Sequence, residues 1–409
     1  MKPVKAKSVF ISFIAMVVLS SCTEVPEDVK SRTEAKNAAL SEAQNHSDRT
    51  GEVKFISTDE LQVDTEKALK EKYSNFIVSD KISINIPSEI TKCDFKQVSN
   101  YCVNAEKLVD QFFDESLLDG EKPVSMPYDY TKNYTIDTYG FRNIDKKIHF
   151  FVWNNGFICF MKPPLFEEQT EGGSQQAIYH IDRNDDLSGS YLLGDKEVSV
   201  AEAVSAAQKW LDDNYAQFEP KYNIKIKTLI VRENDFGEYS YHFTAEKHYK
   251  DIPLDELIMM YENNDLSKMK YMNNKITFIM KNGTDIDYFT NHTGIIEPIE
   301  KGKLDKIVSL SSALEYLEKT FAEFNSSMEI ADINLKYTLK PIYDLNNGQP
   351  YNAEGVDITG KIVWEFVIDV PYNSIKHTFP NAGSVRKYIY VDAETGEMDF
   401  YFELDKLLQ

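Results

Sequence analysis

The sequence predicts an α+β fold of tandem modules, each with a helix packed on an antiparallel sheet. Two helical patterns, from Val198 to about Tyr215 and from Val308 to about Phe324, repeat apolar residues every three or four positions. Strand-like runs separated by turn residues follow each pattern. The recurrence of this order indicates two copies of one helix-then-sheet unit.

The two helices share a start signal. Ser199 and Ser309 each precede the apolar series and offer a side-chain oxygen as N-cap. The strand-like runs that follow are Ile224 to Val231, Glu238 to Ala245, Lys275 to Met280 and Asp285 to Thr290 in the first unit, and Ile333 to Leu339, Lys361 to Val370 and Arg386 to Val391 in the second.

Each unit closes with a similar segment, which predicts a terminal hairpin. The segment from Tyr288 to Gly294 aligns with the segment from Tyr390 to Gly396, and both end in Thr-Gly. Glycine suits a tight turn because it adopts a positive φ without steric cost.

The region from Lys54 to Lys196 is predicted as a third, more divergent α+β unit. It has helical patterns at Asp59 to Phe76 and around Val103 to Phe113. The runs Ile148 to Trp153 and Phe157 to Met161 predict a hairpin, and the Asn-Gly pair between them favours a type I′ turn. We expect the runs Ala177 to Asp182 and Ser190 to Leu193 to mirror the later closing hairpins.

The N-terminal segment indicates export and lipid anchoring. Three lysines precede an apolar run from Val9 to Leu19, which is shorter than the about 20 residues that a membrane-spanning helix needs. Leu19, Ser20 and Ser21 precede Cys22, as in a bacterial lipoprotein signal whose cysteine thiol accepts a diacylglyceryl group. The alternative is an ordinary secretory signal with an incidental cysteine. Lipidation at Cys22 predicts an extracytoplasmic, membrane-attached protein, because the two acyl chains of the diacylglyceryl group make a stable anchor.

These observations divide the chain into five segments. Residues 1–21 are the predicted signal peptide, and residues 22–53, poor in large apolar residues, are a predicted flexible tether. Residues 54–196 form the predicted N-terminal module, and residues 197–302 and 303–409 form the two repeated modules.

Composition limits the partners. The formal net charge is −21, and removal of the three signal lysines makes it more negative. Nucleic acid and anionic lipid headgroups are disfavoured as partners because like charges repel.

Once Cys22 is lipidated, Cys93, Cys102 and Cys159 remain, and this odd number leaves open a Cys93–Cys102 disulfide or three buried free thiols.

Motifs for catalysis, cofactors and metals are lacking in the sequence. The seven histidines include no His-Glu-x-x-His, and the glycines form no phosphate-binding loop. Ser267 to Lys270 reads Ser-x-x-Lys, in which a lysine could activate a serine nucleophile, but the companion motifs of this serine mechanism are absent.

Asp182 to Asp186 resembles the start of a calcium loop, but Leu187 and Leu193 occupy positions that need Gly and Glu. His242 alternates with aromatic residues on a strand, which favours a position on a sheet face over a metal ligand. We therefore predict no cofactor, no metal site and no enzyme activity.

The last module resembles a PepSY-like domain. The resemblance rests on the Val308 to Phe324 helix and on the ending Tyr388 to Glu397, where a hydrophobic pair precedes Asp-Ala-Glu-Thr-Gly-Glu. The second module departs from this ending, because Thr290, Asn291 and Ile295 stand where the PepSY-like pattern has Asp, Ala and Glu. The chain also looks like Gram-positive lipoproteins that carry domains of unknown function. The resemblance implies a helix on an antiparallel sheet and a role in peptidase inhibition or ligand sensing, and it supplies no catalytic residue.

Together these features predict a non-enzymatic binding or regulatory module at the cell envelope. Its expected partner is a peptide or protein, bound in a cleft or by strand addition. Two alternatives stay open at this point: a cell-surface hydrolase whose site is assembled in space, and an inhibitor of a secreted peptidase.

Overall fold

The computed structural model describes residues 53–126, 128–131, 134–163, 173–255, 257–260, 270–273, 275–292, 294–321, 328–342, 354–371 and 384–401. These described residues belong to one compact unit. Among the described residues, no helix has both the length and the apolar character needed to cross a membrane.

The described helices are short, and strands dominate. The helices are α1 (Leu61–Ala68), α2 (Ala105–Phe112), α3 (Glu115–Leu118), α4 (Val200–Trp210), which continues as a π-helix (Leu211–Tyr215), and α5 (Leu310–Phe321). The strands are β1 (Phe55–Ser57), β2 (Phe76–Val78), β3 (Thr91–Gln97), β4 (Val124–Ser125), β5 (Tyr128–Thr131), β6 (Tyr134–Ile136), β7 (Thr138–Asn143), β8 (Ile148–Trp153), β9 (Ile158–Met161), β10 (Gly173–His180), β11 (Ser190–Leu193), β12 (Lys196–Ser199), β13 (Asn223–Asn234), β14 (Tyr239–Tyr249), β15 (Ile252–Pro253), β16 (Leu257–Met260), β17 (Lys270–Asn273), β18 (Ile276–Met280), β19 (Tyr288–Asn291), β20 (Ile296–Lys303), β21 (Lys306–Val308), β22 (Met328–Ile342), β23 (Asp357–Pro371), β24 (Ser384–Asp392) and β25 (Met398–Tyr401).

Two large sheets organise the described part of the chain. Sheet I is antiparallel, with the strand order β10-β13-β14-β18-β19-β9-β8-β7-β4 and with β15 paired to β14. Sheet II has the order β2-β22-β23-β24-β25, and β3 pairs with both β23 and β20. Its β2–β22 pair is parallel and its other pairs are antiparallel.

A row of aromatic rings fixes the helices on one face of sheet I. Phe160, Phe289, Phe278 and Phe243 lie directly opposite one another on successive strands and are fully or almost fully buried. Trp210 of α4 and Phe112 of α2 pack on these rings, with Trp210 5.3 Å from Phe289 and Phe112 5.0 Å from Phe160 between ring centroids. Each such aromatic pair adds about 0.5–1.5 kcal/mol beyond the burial of its surface.

Sheet II has its own helical cover, formed by α1 and α5. The fully buried Trp364 of β23 donates a hydrogen bond from Nε1 to the Val308 carbonyl, 2.8 Å away, just before α5. Asp64 of α1 accepts hydrogen bonds from Ser309 Oγ and the Ser311 N–H, which ties the two helices together. The position of α5 is thus set by contacts to the sheet and to α1.

The predicted tandem helix-on-sheet fold is wrong. The described chain is predominantly β, and strands from different predicted modules share the same sheets. In sheet I, β9 from residues 54–196 pairs with β19 from residues 197–302. Local periodicity predicts a helix or a strand, but it carries no information about the partner of a strand, and here the partners come from distant parts of the chain.

The predicted start of both repeated helices is confirmed. Ser199 Oγ accepts a hydrogen bond from the Glu202 N–H, 3.1 Å away, and Ser309 Oγ accepts one from the Ser312 N–H at the same distance. Each satisfies one of the free N–H groups in the first turn of its helix.

The equivalence of the two closing hairpins is wrong. β24 and β25 form a hairpin, in which Gly396 has φ +77° and donates to the Asp392 carbonyl. In contrast, β19 belongs to sheet I and β20 to sheet II. Gly294 lies between them, so close to the Asn155 carbonyl oxygen that an added Cβ would come within 2.3 Å of it. At Gly294 the chain passes from one sheet to the other.

The structure also corrects details of the predicted N-terminal module. The hairpin of β8 and β9 is confirmed, but only Gly156 of its Asn-Gly pair has a positive φ, +82°. A type I′ turn needs a positive φ at both central positions, so the turn type was wrong. The run Ala177 to Asp182 does not pair with Ser190 to Leu193, because β10 pairs with β13 and β11 pairs with β12.

Candidate functional site

A cluster of buried charges joins the two sheets. Lys336 of β22 lies 3.3 Å from Glu246 of β14 and 3.1 Å from Glu365 of β23, measured from Nζ to the carboxylate oxygens. The side chains of these three residues are 4%, 7% and 2% exposed. Lys227 adds a second cation at 3.3 Å from Glu246. One lysine of sheet II therefore bridges a carboxylate of each sheet.

Glu246 and Lys336 stay ionised because their charges are paired. Burial acts to raise the pKa of Glu246, but Lys227 and Lys336 outweigh it and hold that pKa well below the ordinary value. Burial likewise acts to lower the pKa of Lys336, but Glu365 and Glu246 keep it raised. Buried charges are tolerated in this way only when partners neutralise them.

A cleft of about 120 Å³ opens beside this cluster, where sheet II lies against sheet I. Its walls carry both charges and hydroxyl groups, and they are formed by His180, Asp182, Arg183, Lys227, Thr228, Thr244, Lys275, Asp332, Asn334, Glu365, Val367 and Tyr388. Arg183 and Asp332 form an ion pair of 3.2 Å across one side. The cleft has the size of a small polar group or the end of a long side chain.

Asp182 is the unpaired carboxylate of the cleft. Its side chain is exposed at the rim and forms no hydrogen bond or ion pair with another described residue. Protein atoms crowd its other sides, and this loss of solvent raises the pKa of Asp182 to about 6, with Asp332 and Glu246 adding to the effect and Lys227 opposing it. A cationic group placed here would gain a partner.

The edge strand β10 ends at this cleft. The N–H of His180 donates to Asp185 Oδ2 at 2.8 Å, and the His180 carbonyl accepts from the Asp185 N–H at 3.2 Å, so both backbone groups point away from β13. In an antiparallel pair this orientation recurs at every second residue. The N–H and C=O of Ile178 therefore also point to the outer edge of β10, where no strand pairs among the described residues.

Of the residues weighed in the sequence analysis, the run from Asp182 to Asp186 lies at this site. The cysteines and the Ser-x-x-Lys serine do not line the cleft or are outside the described residues. Cys22 and Ser267 are among those not described. Cys93, Cys102 and Cys159 are buried and free. Burial raises the pKa of Cys93 to about 11 and those of Cys102 and Cys159 to about 12, so these thiols remain protonated at neutral pH.

The structure also locates the candidate metal ligands. His242 lies on β14, with Nε2 3.0 Å from Ser240 Oγ. Asp185 and Asp186 bind backbone N–H groups of the turn after β10, those of His180 and Ser188. Among the described residues, no group of His, Cys, Asp and Glu side chains is arranged to hold a metal ion.

Sequence reasoning missed the charged cluster. Glu365 carries a signal, because it interrupts an apolar run from Ile362 to Ile368, and a charge in a strand buried on both faces is expected to be paired. Lys336 carries none, because it alternates with the apolar Leu335 and Tyr337, a pattern that predicts a solvent-facing side chain. The partner across the sheets could not be identified without the fold.

Comparisons with known proteins show only the fold. Neither the protein-family models nor the curated proteins include a match to this chain. A crystal structure of an uncharacterized protein from Eubacterium rectale is similar, with a TM-score of 0.51 and 14% sequence identity over 84% of this chain and 99% of that one. At this identity the similarity carries no information about ligands or activity.

We expect Lys336→Met to destabilise the protein by about 3–5 kcal/mol, because it leaves Glu246 and Glu365 buried with one cation fewer. Lys67→Met is the control, since Lys67 forms an exposed pair with Glu71 worth about 0.3–0.5 kcal/mol. Urea unfolding of both variants measures the difference. Equal stability of the two variants would show that Lys336 does not hold the sheets together.

Asp182→Asn tests the raised carboxyl pKa. A carboxyl whose pKa is raised by folding stabilises the native state below its unfolded pKa, and this stabilisation is lost as the pH rises through the folded value of about 6. Asp182→Asn should therefore match the wild type at pH 3.5 and exceed it in free energy of unfolding at pH 7.5. The exposed turn residue Asp80, changed to Asn, is the control. A gain of the same size at both pH values would refute the assignment.

Proposed function

We propose that this protein is a non-enzymatic binding module, attached to the outer side of the cell membrane through Cys22, that takes an extended peptide segment as an added strand. The observation that carries the proposal is the outer edge of β10, which pairs with no described strand. The hydrogen bonds of His180 and the alternation of an antiparallel pair direct the N–H and C=O of Ile178 to this edge. Main-chain hydrogen bonds along such an edge supply affinity for an extended segment of another protein.

The edge is long enough and firmly held. The eight residues of β10 span about 27 Å, which accommodates a peptide of similar length. The inner edge of β10 is paired with β13. The turn after β10 is fixed by Asp185 and by the Arg183–Asp332 ion pair to sheet II. A rigid edge binds with a smaller loss of conformational entropy than a mobile one.

The sequence of β10 also suits this role. Edge strands usually carry lysine, proline or inward-pointing charges that prevent pairing with other chains. From Gly173 to Tyr179, β10 has no charged residue and no proline, and Ile178 is 40% exposed. One protective feature is present, a bulge between Gln175 and Ala177. The regular stretch from Ala177 onwards therefore offers the better pairing surface.

The proposed anchor is tested by Cys22→Ala in the source cells. The variant lacks the thiol that accepts the lipid, so it should appear in the medium or in a soluble extracytoplasmic fraction, whereas the wild type stays with the membranes. Cys93→Ala is the control for the loss of a thiol. Retention of the Cys22→Ala protein on the membrane would refute the anchor without affecting the binding proposal.

Ile178→Pro tests strand addition. Proline removes an N–H that points to the edge, so the pairing with β13 should persist while an added strand loses a hydrogen bond and meets the proline ring. On an array of end-blocked octapeptides, we expect the full-length variant to bind the wild type's best peptides about tenfold more weakly.

Ile178→Ala is the matched control, because it removes the same side chain and keeps the N–H. Hydrogen exchange provides a second measurement: a bound octapeptide should slow exchange of the Ile178 amide in the wild type. Equal binding by the Pro and Ala variants, without protection of this amide, would rule out the β10 edge as the binding site.

A further inference from the structure

The two ends of the β10 edge are both acidic. Asp185 and Asp186 lie in the turn after His180, and Glu233 and Asp235 lie at the tip of the β13–β14 hairpin, beside the start of β10, where Ser174 pairs with Glu233. Within the described part of the chain, none of these four carboxylates forms an ion pair with a lysine or arginine. The edge therefore has unneutralised negative charge at each end.

Their hydrogen bonds are with neutral donors. Asp185 and Asp186 accept from backbone N–H groups, and Glu233 Oε2 accepts from Gln176 Nε2 at 2.7 Å. Two arginines lie near these groups in the chain: Arg183, which is engaged in the ion pair with Asp332, and Arg232, which is exposed on β13. Because Arg183 is already paired, four carboxylates against the one exposed Arg232 leave a local excess of negative charge, which agrees with the overall charge of −21.

An exposed aromatic ring stands at the hairpin end of the edge. Phe236 is 85% exposed, and its turn is fixed by hydrogen bonds from the Phe236 and Glu238 N–H groups to Asn234 Oδ1. Its sequence neighbours Asp235 and Glu233 are carboxylates. A lysine or arginine side chain can lie on such a ring while its charge meets the carboxylates.

A second copy of this chain fits the edge poorly. Antiparallel pairing of β10 with β10 of another copy would bring Asp185 and Asp186 of each protomer near Glu233 and Asp235 of the other. Like charges that meet in this way oppose association. The charge pattern therefore selects a partner of opposite sign.

We infer that the segment bound at the β10 edge is basic, with lysine or arginine at both ends of a short extended stretch and an apolar residue opposite Ile178. This inference rests on the proposed function and names the class of its ligand. The charged ends of the segment supply selectivity for basic sequences. Backbone pairing and contact with the exposed Ile178 supply the part of the affinity that basic and uncharged segments have in common.

The test uses two end-blocked octapeptides and the full-length protein. One peptide has two central valines flanked by lysines, and the other has glutamines in place of the lysines. We expect the lysine peptide to bind at least tenfold more tightly at low salt, and the difference to shrink at 0.5 M NaCl because exposed charge pairs are screened. Fluorescence anisotropy of labelled peptides measures both affinities.

Three variants separate the two proposals. The double variant Asp186→Asn, Asp235→Asn should weaken the lysine peptide about five- to tenfold and leave the glutamine peptide unchanged. Asp59→Asn with Glu60→Gln, two exposed acidic residues before α1, is the control of equal charge. Ile178→Pro should weaken both peptides.

The remaining outcomes are decisive as well. Equal affinity for both peptides, with loss of both in Ile178→Pro, overturns the basic ligand and leaves strand addition intact. If Ile178→Pro does not weaken binding of the lysine peptide, both proposals are overturned, because the peptide then binds elsewhere. If sedimentation shows that the wild type self-associates and Ile178→Pro abolishes this, the edge pairs with a second copy of the chain. The basic ligand is then overturned.

Discussion

The contact between Lys336 and the carboxylates of Glu246 and Glu365 is the interaction on which the arrangement of the two sheets depends. It joins β14 of one sheet to β22 and β23 of the other, and all three side chains are almost fully buried. Such a cluster contributes little net stability compared with apolar packing, yet it is costly to break. It therefore favours one relative placement of the sheets, in which every buried charge has a partner.

This placement creates the surroundings of the candidate site. With sheet II held against sheet I, Asp332 is within reach of Arg183, and that ion pair fixes the turn after β10. The end of the edge strand is thereby ordered before any ligand arrives, and Asp182 and Asp185 have defined positions beside it. The buried cluster and the exposed edge are thus linked through one arginine.

Local structure was predictable from the sequence to a greater extent than the pairing of strands. The N-caps at Ser199 and Ser309 and the strand-like runs after them depend on neighbouring residues, so the pattern contains the information. The pairing of β19 with β9, or the passage to sheet II at Gly294, depends on contacts between distant segments. A repeated local pattern therefore indicated repeated modules, although the strands complete shared sheets.

The acidic residues of the candidate site show the same difference between what the local sequence predicts and what only the fold provides. With so many carboxylates in the chain, the run from Asp182 to Asp186 predicts no more than a solvated turn. Only the fold places this run at one end of an edge strand and the hairpin with Glu233 and Asp235 at the other. Under the proposed function, the charge at the two ends of the edge selects the sign of the bound segment, and the spacing of these charges along the exposed backbone selects an extended shape. An extended segment with a cationic group at each end satisfies both conditions, because its backbone pairs with the edge while its ends neutralise the carboxylates.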